Sequence, residues 1–382
     1  MKLISKTKNF LLILLLSIST LQVQAHHEGV IGGPGIAGPI ITFPARTLPK
    51  GRFFAGVGLK YTNFNTFSAA QVQSLVNRRE TTGQIAHSLA PSINFGYGIT
   101  DDLDIYLTLP YQFKYGLVET DAGERTGFGD SIGLGDLLVL CQYRFLKLER
   151  HKLYASLLAG INIPTGFRNV RNNEGDFFGN DDQPGSGTFD PLVGLALSKD
   201  LGAGLSLDSN FLYRFSLKGP RDNTIGDTLN YNFAISYLVQ HDALQSENKR
   251  HGHSHAHSGE LAYHTHKHMH NHTHDGEGHH KKISKLGRFL TYVLPGSVLG
   301  NKLRWNLVSE INYTWQERPE DSEGVKEDNH GGHLVQATQG IRAIVNDRLV
   351  TNLGVSLPLA TGFNGAQPSP IPSLTFGVNY LF

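Results

Sequence analysis

Sulfur is nearly missing from this 382-residue chain: it holds one cysteine, Cys141. A single thiol cannot close an intrachain disulfide, and a thiolate-rich metal centre is excluded with it. An excess of charge is also lacking. The formal net charge is +1, so there is no broad basic field of the kind that holds nucleic acid, and no nucleic-acid partner is expected. Long apolar runs are absent beyond residue 25, where no stretch reaches the roughly 18 residues needed for a helix to cross a bilayer.

What is present begins with a leader. Lys2, Lys6 and Lys8 precede the apolar run from Phe10 to Leu16, and Val23-Gln24-Ala25 offers small residues for cleavage. Residues 1–25 read as a secretory signal peptide, which puts the mature start at His26. Residues 26–50 are rich in Gly and Pro and carry no periodicity. They read as an irregular N-terminal segment that either hangs in the periplasm or tucks into a barrel lumen.

From Gly51 apolar residues recur at every second position, the period of a strand with one greasy face. Leu103, Ile105, Leu107, Leu109, Tyr111, Phe113 and Tyr115 alternate with Asp104, Thr108, Gln112 and Lys114. Similar runs begin near Phe53, Ile85, Leu137, Leu153, Val193, Leu205, Tyr231, Trp305, Val335 and Leu349, and the last ends Leu374, Phe376, Val378, Tyr380, Phe382. Tight connections near Thr100-Asp101-Asp102, 146–152, 199–203 and Asn346-Asp347 alternate with longer polar ones. The pattern predicts an all-β protein, a transmembrane antiparallel up-and-down barrel of about twelve strands set in outer-membrane lipid. Strands 1–8 fall in 51–240 and strands 9–12 in 303–382. The terminal strand ending at Phe382 resembles the signal read by the barrel assembly machinery.

On the opposite face the strands carry charges of both signs: Lys60, Asp104, Lys114, Asp136, Arg144, Asp208, Arg214, Arg304, Glu310 and Arg342. These are the candidate lumen-lining residues, and they predict a polar interior in which they either line water or pair to close the bore. Twelve strands enclose a narrow path at most.

Gly127-Phe128-Gly129-Asp130, Gly133-Leu134-Gly135-Asp136-Leu137 running into Tyr143-Arg144-Phe145, Ile163-Pro164-Thr165-Gly166, and Gly185-Ser186-Gly187-Thr188 before Asp190 carry a family resemblance, as do Leu109-Pro110 and Leu357-Pro358. Over most of residues 40–382 the chain resembles the outer-membrane transporters grouped as the meta-pathway of phenol degradation family. The resemblance implies a barrel that passes small molecules, aromatic compounds among them.

One insertion departs from that family, at about 241–302. It holds His251, His253, His255, His257, His264, His266, His268, His270, His272, His274, His279 and His280. Alternating imidazoles suit Zn, Cu, Ni or Co, and nothing apolar here builds a core, so the expected behaviour is a disordered histidine-rich loop that orders on metal. The bland reading is a solvated or pH-responsive linker. His330 and His333 read as a solvated turn, and His87 as an interfacial histidine. An even number of strands precedes the insertion, which predicts that it lies in the periplasm.

Together these features predict a non-enzymatic channel for small solutes with a transition-metal-binding loop. The alternatives are a metal-buffering or sensing protein anchored by its barrel, and a channel for small hydrophobic or aromatic compounds.

Overall fold

The computed structural model describes residues 39–78, 82–121, 124–219, 224–239, 303–320, 323–327 and 329–382. The histidine insertion, the signal peptide and residues 26–38 lie outside the described residues, as does the segment 286–299.

Fourteen strands form one antiparallel sheet. They are β1 Phe53–Asn65, β2 Thr82–Gln84, β3 His87–Gly98, β4 Leu103–Asp121, β5 Glu124–Leu134, β6 Leu137–Leu148, β7 Leu153–Ile163, β8 Asp190–Gly202, β9 Leu205–Arg214, β10 Thr228–Val239, β11 Leu303–Gln316, β12 Gly332–Val345, β13 Leu349–Phe363 and β14 Ser369–Leu381. Twelve of them close a barrel by sequential pairing, with β1 joined to β14 and β4 to β6, while β2 and β5 pair only with the far end of β4. At the seam the Phe382 N–H donates to the Phe53 carbonyl at 2.8 Å and the two rings stack at 4.4 Å.

Closure satisfies the backbone of every wall strand, the condition for crossing a membrane without a helix. The outward face supplies the other condition. Val57, Ile93, Phe95, Leu195, Tyr231 and Phe376 all stand exposed, an apolar band that water would not tolerate at this extent and that hydrocarbon accepts. His87 sits on this face between Tyr61 and Tyr115, stacked on the latter at 4.9 Å.

The barrel has two unlike ends. One carries tight turns; β12 and β13 are joined by three residues, 346–348, of which Asn346 and Asp347 both take positive φ, 52° and 60°, a geometry that follows the twist of the flanking strands. β10 ends and β11 begins at this same end, with Val239 opposite Trp305. The other end is built up by long connections. One holds α1, Ala69–Arg78, started by a reciprocal cap in which Gln71 N–H donates to Ser68 Oγ and Ser68 N–H to Gln71 Oε1.

The sequence reading needs one correction of phase. The alternating run that begins near Ile85 predicts that residue on the greasy, lipid-facing side. It is instead buried among Phe64, Leu117 and Phe178 under the long loops. The cause is local: the N–H of Ala86 bonds Tyr115 and its carbonyl takes the N–H of Phe64 outside the regular ladder, so alternation restarts at His87.

Candidate functional site

Residues 39–48 cross the lumen near the tight-turn end. Pro39, Pro44 and Pro49 keep this stretch from pairing as a strand, so its backbone groups need partners from elsewhere. Inward side chains of the wall supply them. Glu310 on β11 accepts the N–H groups of Ile40, Ile41 and Thr42, the last at 2.9 Å, together with the Thr42 hydroxyl at 2.8 Å. Asn210 on β9 accepts from Phe43 N–H at 2.8 Å, Ser198 on β8 from Ala45 N–H at 2.8 Å, and Asp104 on β4 from Leu48 N–H at 2.7 Å. In the other direction Gln142 of β6 donates to the Pro44 carbonyl, Ser156 of β7 to that of Ala45, and Arg342 of β12 to that of Pro39.

Side chains fix the segment as firmly as the backbone does. Phe43, Ala45 and Leu48 join Phe54, Tyr106, Leu140, Leu158 and Leu212 in one buried cluster. Ile40 lies in a notch made by Gly340 on β12 and Gly354 on β13; its Cδ1 occupies the space where a Cβ at Gly340 would stand. Asp104, Asp208, Glu310 and Arg342 are 0%, 1%, 2% and 3% exposed. At this level, then, they do not line water, because residues 39–48 stand against them inside the barrel. The described part of the irregular segment is tucked into the lumen, the second of the two placements left open by its sequence.

Beyond this segment the lumen widens into a cavity of about 280 Å³ under the long loops. Lys60, Lys114, Asp136 and Arg214 line it. Arg144 and Arg304 lie elsewhere, at the tight-turn rim, where they pair with Asp102 and Asp347. Asp136 is saturated: its carboxylate accepts from Gly166 N–H at 3.0 Å and from the N–H and hydroxyl of Ser186 at 2.7 and 2.6 Å, pinning the glycine-rich loop between β7 and β8. Lys114 donates to the Asp181 carbonyl of the same loop at 2.6 Å.

The interior is less polar than the alternation predicted. Leu138, Leu192 and Leu212, at inward positions of β6, β8 and β9, line the cavity on one side; Thr314, Gln336, Ser373 and Asn230 line it on the other. β6, β8 and β9 each set leucines among polar inward residues such as Gln142, Ser198 and Asn210, so alternation of polarity alone hides which leucines point in. The even-numbered parity of inward positions is the signal that would have found them.

His330 is no solvated turn. Its Nε2 lies 3.2 Å from Asp181 and its Nδ1 3.5 Å from Glu327, bridging the β7–β8 and β11–β12 loops. His333 shares a hydrogen bond of 2.7 Å with Tyr313 at the rim. The twelve histidines from His251 to His280 lie outside the described residues; among the described ones no group of three potential ligands is placed to hold a metal ion.

A closed barrel with a lipid-facing apolar belt and a lumen shaped by inward side chains defines an outer-membrane β-barrel. The chain belongs to the family described as "Putative MetA-pathway of phenol degradation", whose model matches residues 56–270. Among solved structures it is similar to the COG4313 outer membrane channel from Pseudomonas putida F1, at 12% identity and a TM-score of 0.54, covering 88% of this chain and 98% of that one. The NanC porin aligns over 85% of this chain and 98% of its own, at 8% identity and a TM-score of 0.37. LpxR from Salmonella typhimurium aligns over 86% and 100%, at 8% identity and 0.39. No curated protein sequence matches the chain.

Proposed function

We propose that this protein is an outer-membrane channel for small solutes, closed at rest by residues 39–48 acting as a plug. The observation that carries the reading is the form of the closure. The lumen is blocked by a segment attached at one end to β1 and held by side-chain hydrogen bonds, rather than by wall side chains filling the bore. Such a block is removable without breaking a single strand pair. The two-sided cavity beyond it, leucines facing amides and hydroxyls, favours solutes with an apolar body and a polar group. The tight-turn end faces the periplasm in this reading, as short turns do in barrels of this class. No residue is assigned a catalytic role.

The test is conductance. In planar bilayers the full mature protein should pass small, intermittent currents, and a variant lacking residues 39–48 should pass a steady current several times larger. A deletion variant that folds, as judged by heat-modifiable migration, and stays silent would reduce the barrel to an anchor.

A second reading, drawn from imidazole density, adds transition-metal handling. The histidines between His251 and His280 would collect Zn, Cu, Ni or Co ions in the periplasm, since the strands flanking the insertion meet at the tight-turn end. Deleting residues 250–280 should abolish most Zn or Ni uptake in calorimetry and leave the barrel folded. Unchanged uptake would remove this reading. Labelling of a Ser258→Cys, Cys141→Ser variant by an impermeant maleimide on intact cells would overturn the periplasmic side.

A further inference from the structure

We propose that the cavity in the outer half of the lumen is a binding site for a small amphipathic carboxylate, held by Arg214 at its head and by Leu138, Leu192 and Leu212 along its body. The proposal deepens the channel reading by giving the solute a charge, and it rests on that reading only for transport.

Arg214 is the last residue of β9 and lines the cavity. Its Nη2 donates to Thr228 Oγ1 at 2.8 Å, while its Nε is buried with no acceptor. A guanidinium offers five donors in a rigid plane, and leaving one buried and unmet is costly. Of the carboxylates nearby, Asp136 and Asp181 are bonded elsewhere, while Asp190 keeps one oxygen, Oδ2, buried without a hydrogen-bond partner. Asp190 Oδ1 accepts from the Thr188 hydroxyl at 2.6 Å and from Leu217 N–H at 3.2 Å, and no ion pair joins it to Arg214 among the described residues. Asp136 is filled by Gly166 and Ser186, and Asp181 is turned to His330. Arg214 is therefore a cation on the cavity wall with hydrogen-bonding capacity to spare. A carboxylate is the group whose two oxygens match a guanidinium edge.

The apolar body follows from register. Leu192 sits directly opposite Arg214 across the β8–β9 ladder, and Leu212 precedes Arg214 by two residues, on the same inward face. Leu138 extends this wall from β6. An acid whose head reaches Arg214 and Thr228 lays its chain along these leucines, excluding water from both. A neutral alcohol of the same length would gain the leucines and leave the guanidinium as it is.

Titration calorimetry on the full mature protein in a non-ionic detergent, with sodium hexanoate and 1-hexanol as probes, tests this. Hexanoate should bind roughly tenfold or more tightly than hexanol. Arg214→Gln should remove that preference while hexanol binding stays put, and Arg214→Lys should restore part of it, since an ammonium keeps the charge and loses the planar fork. Equal affinity of the two probes for the unaltered protein overturns the site without reference to any variant, as does full hexanoate binding by folded Arg214→Gln. Hexanoate binding without current in the plug-deleted protein would keep the site and remove the channel; current without the preference would do the reverse.

Discussion

Glu310 does at one position what a run of secondary structure does elsewhere. The three consecutive N–H groups of Ile40, Ile41 and Thr42 and one hydroxyl converge on its two oxygens, and Asn312 Nδ2 adds a donor at 3.3 Å. Donors of that number offset the burial of a carboxylate that is 2% exposed. Replacing Glu310 with Ala strands those donors together, and the docking of the plug should weaken by on the order of 3 kcal/mol. Hydrogen exchange at residues 40–42 should then rise toward that of an open loop, and channel openings should become frequent; Glu310→Gln, which keeps the reach and loses the charge, should fall between. Protection at residues 40–42 that survives in Glu310→Ala would deny the carboxylate this role. From sequence alone Glu310 was legible as an inward charge on its strand. Its partner was not, because 268 to 270 residues separate the two ends of these bonds and nothing local marks either. Asn210, Ser198, Ser156 and Gln142 were harder still, since a neutral polar residue facing inward suits water as well as a plug.

At the scale of elements, the strands were legible because alternation is repeated and each repeat fixes one face. Every wall strand sits where the period of two placed it, apart from the slip at Ile85. The pieces that escaped are those whose structure depends on neighbours. β5 exists by pairing with the extended end of β4. α1 is a polar helix with two buried residues, Val72 and Leu75, too few for its period to stand out. The loops above the cavity are joined by His330, whose Nε2 lies 3.2 Å from Asp181 across the two loops. Limited proteolysis should cut the β7–β8 and β11–β12 loops faster in His330→Ala than in the unaltered protein. Equal cleavage rates in the two would count against a bridge at this residue.

For the whole molecule, the place of the plug in the chain sets an order of events. The segment precedes β1, yet its partners lie on β4, β6, β7, β8, β9, β11 and β12. Glu310 and Arg342 have no fixed position until their strands have joined the sheet, so the site that receives residues 39–48 does not exist in a half-built wall. Contacts between such distant parts of a chain are the slowest to form, because the intervening loop must close first. The residues nearest the start of the barrel are thus the last to settle. The start of the chain's described part depends for its place on the strands made last, and only a complete wall offers it a seat.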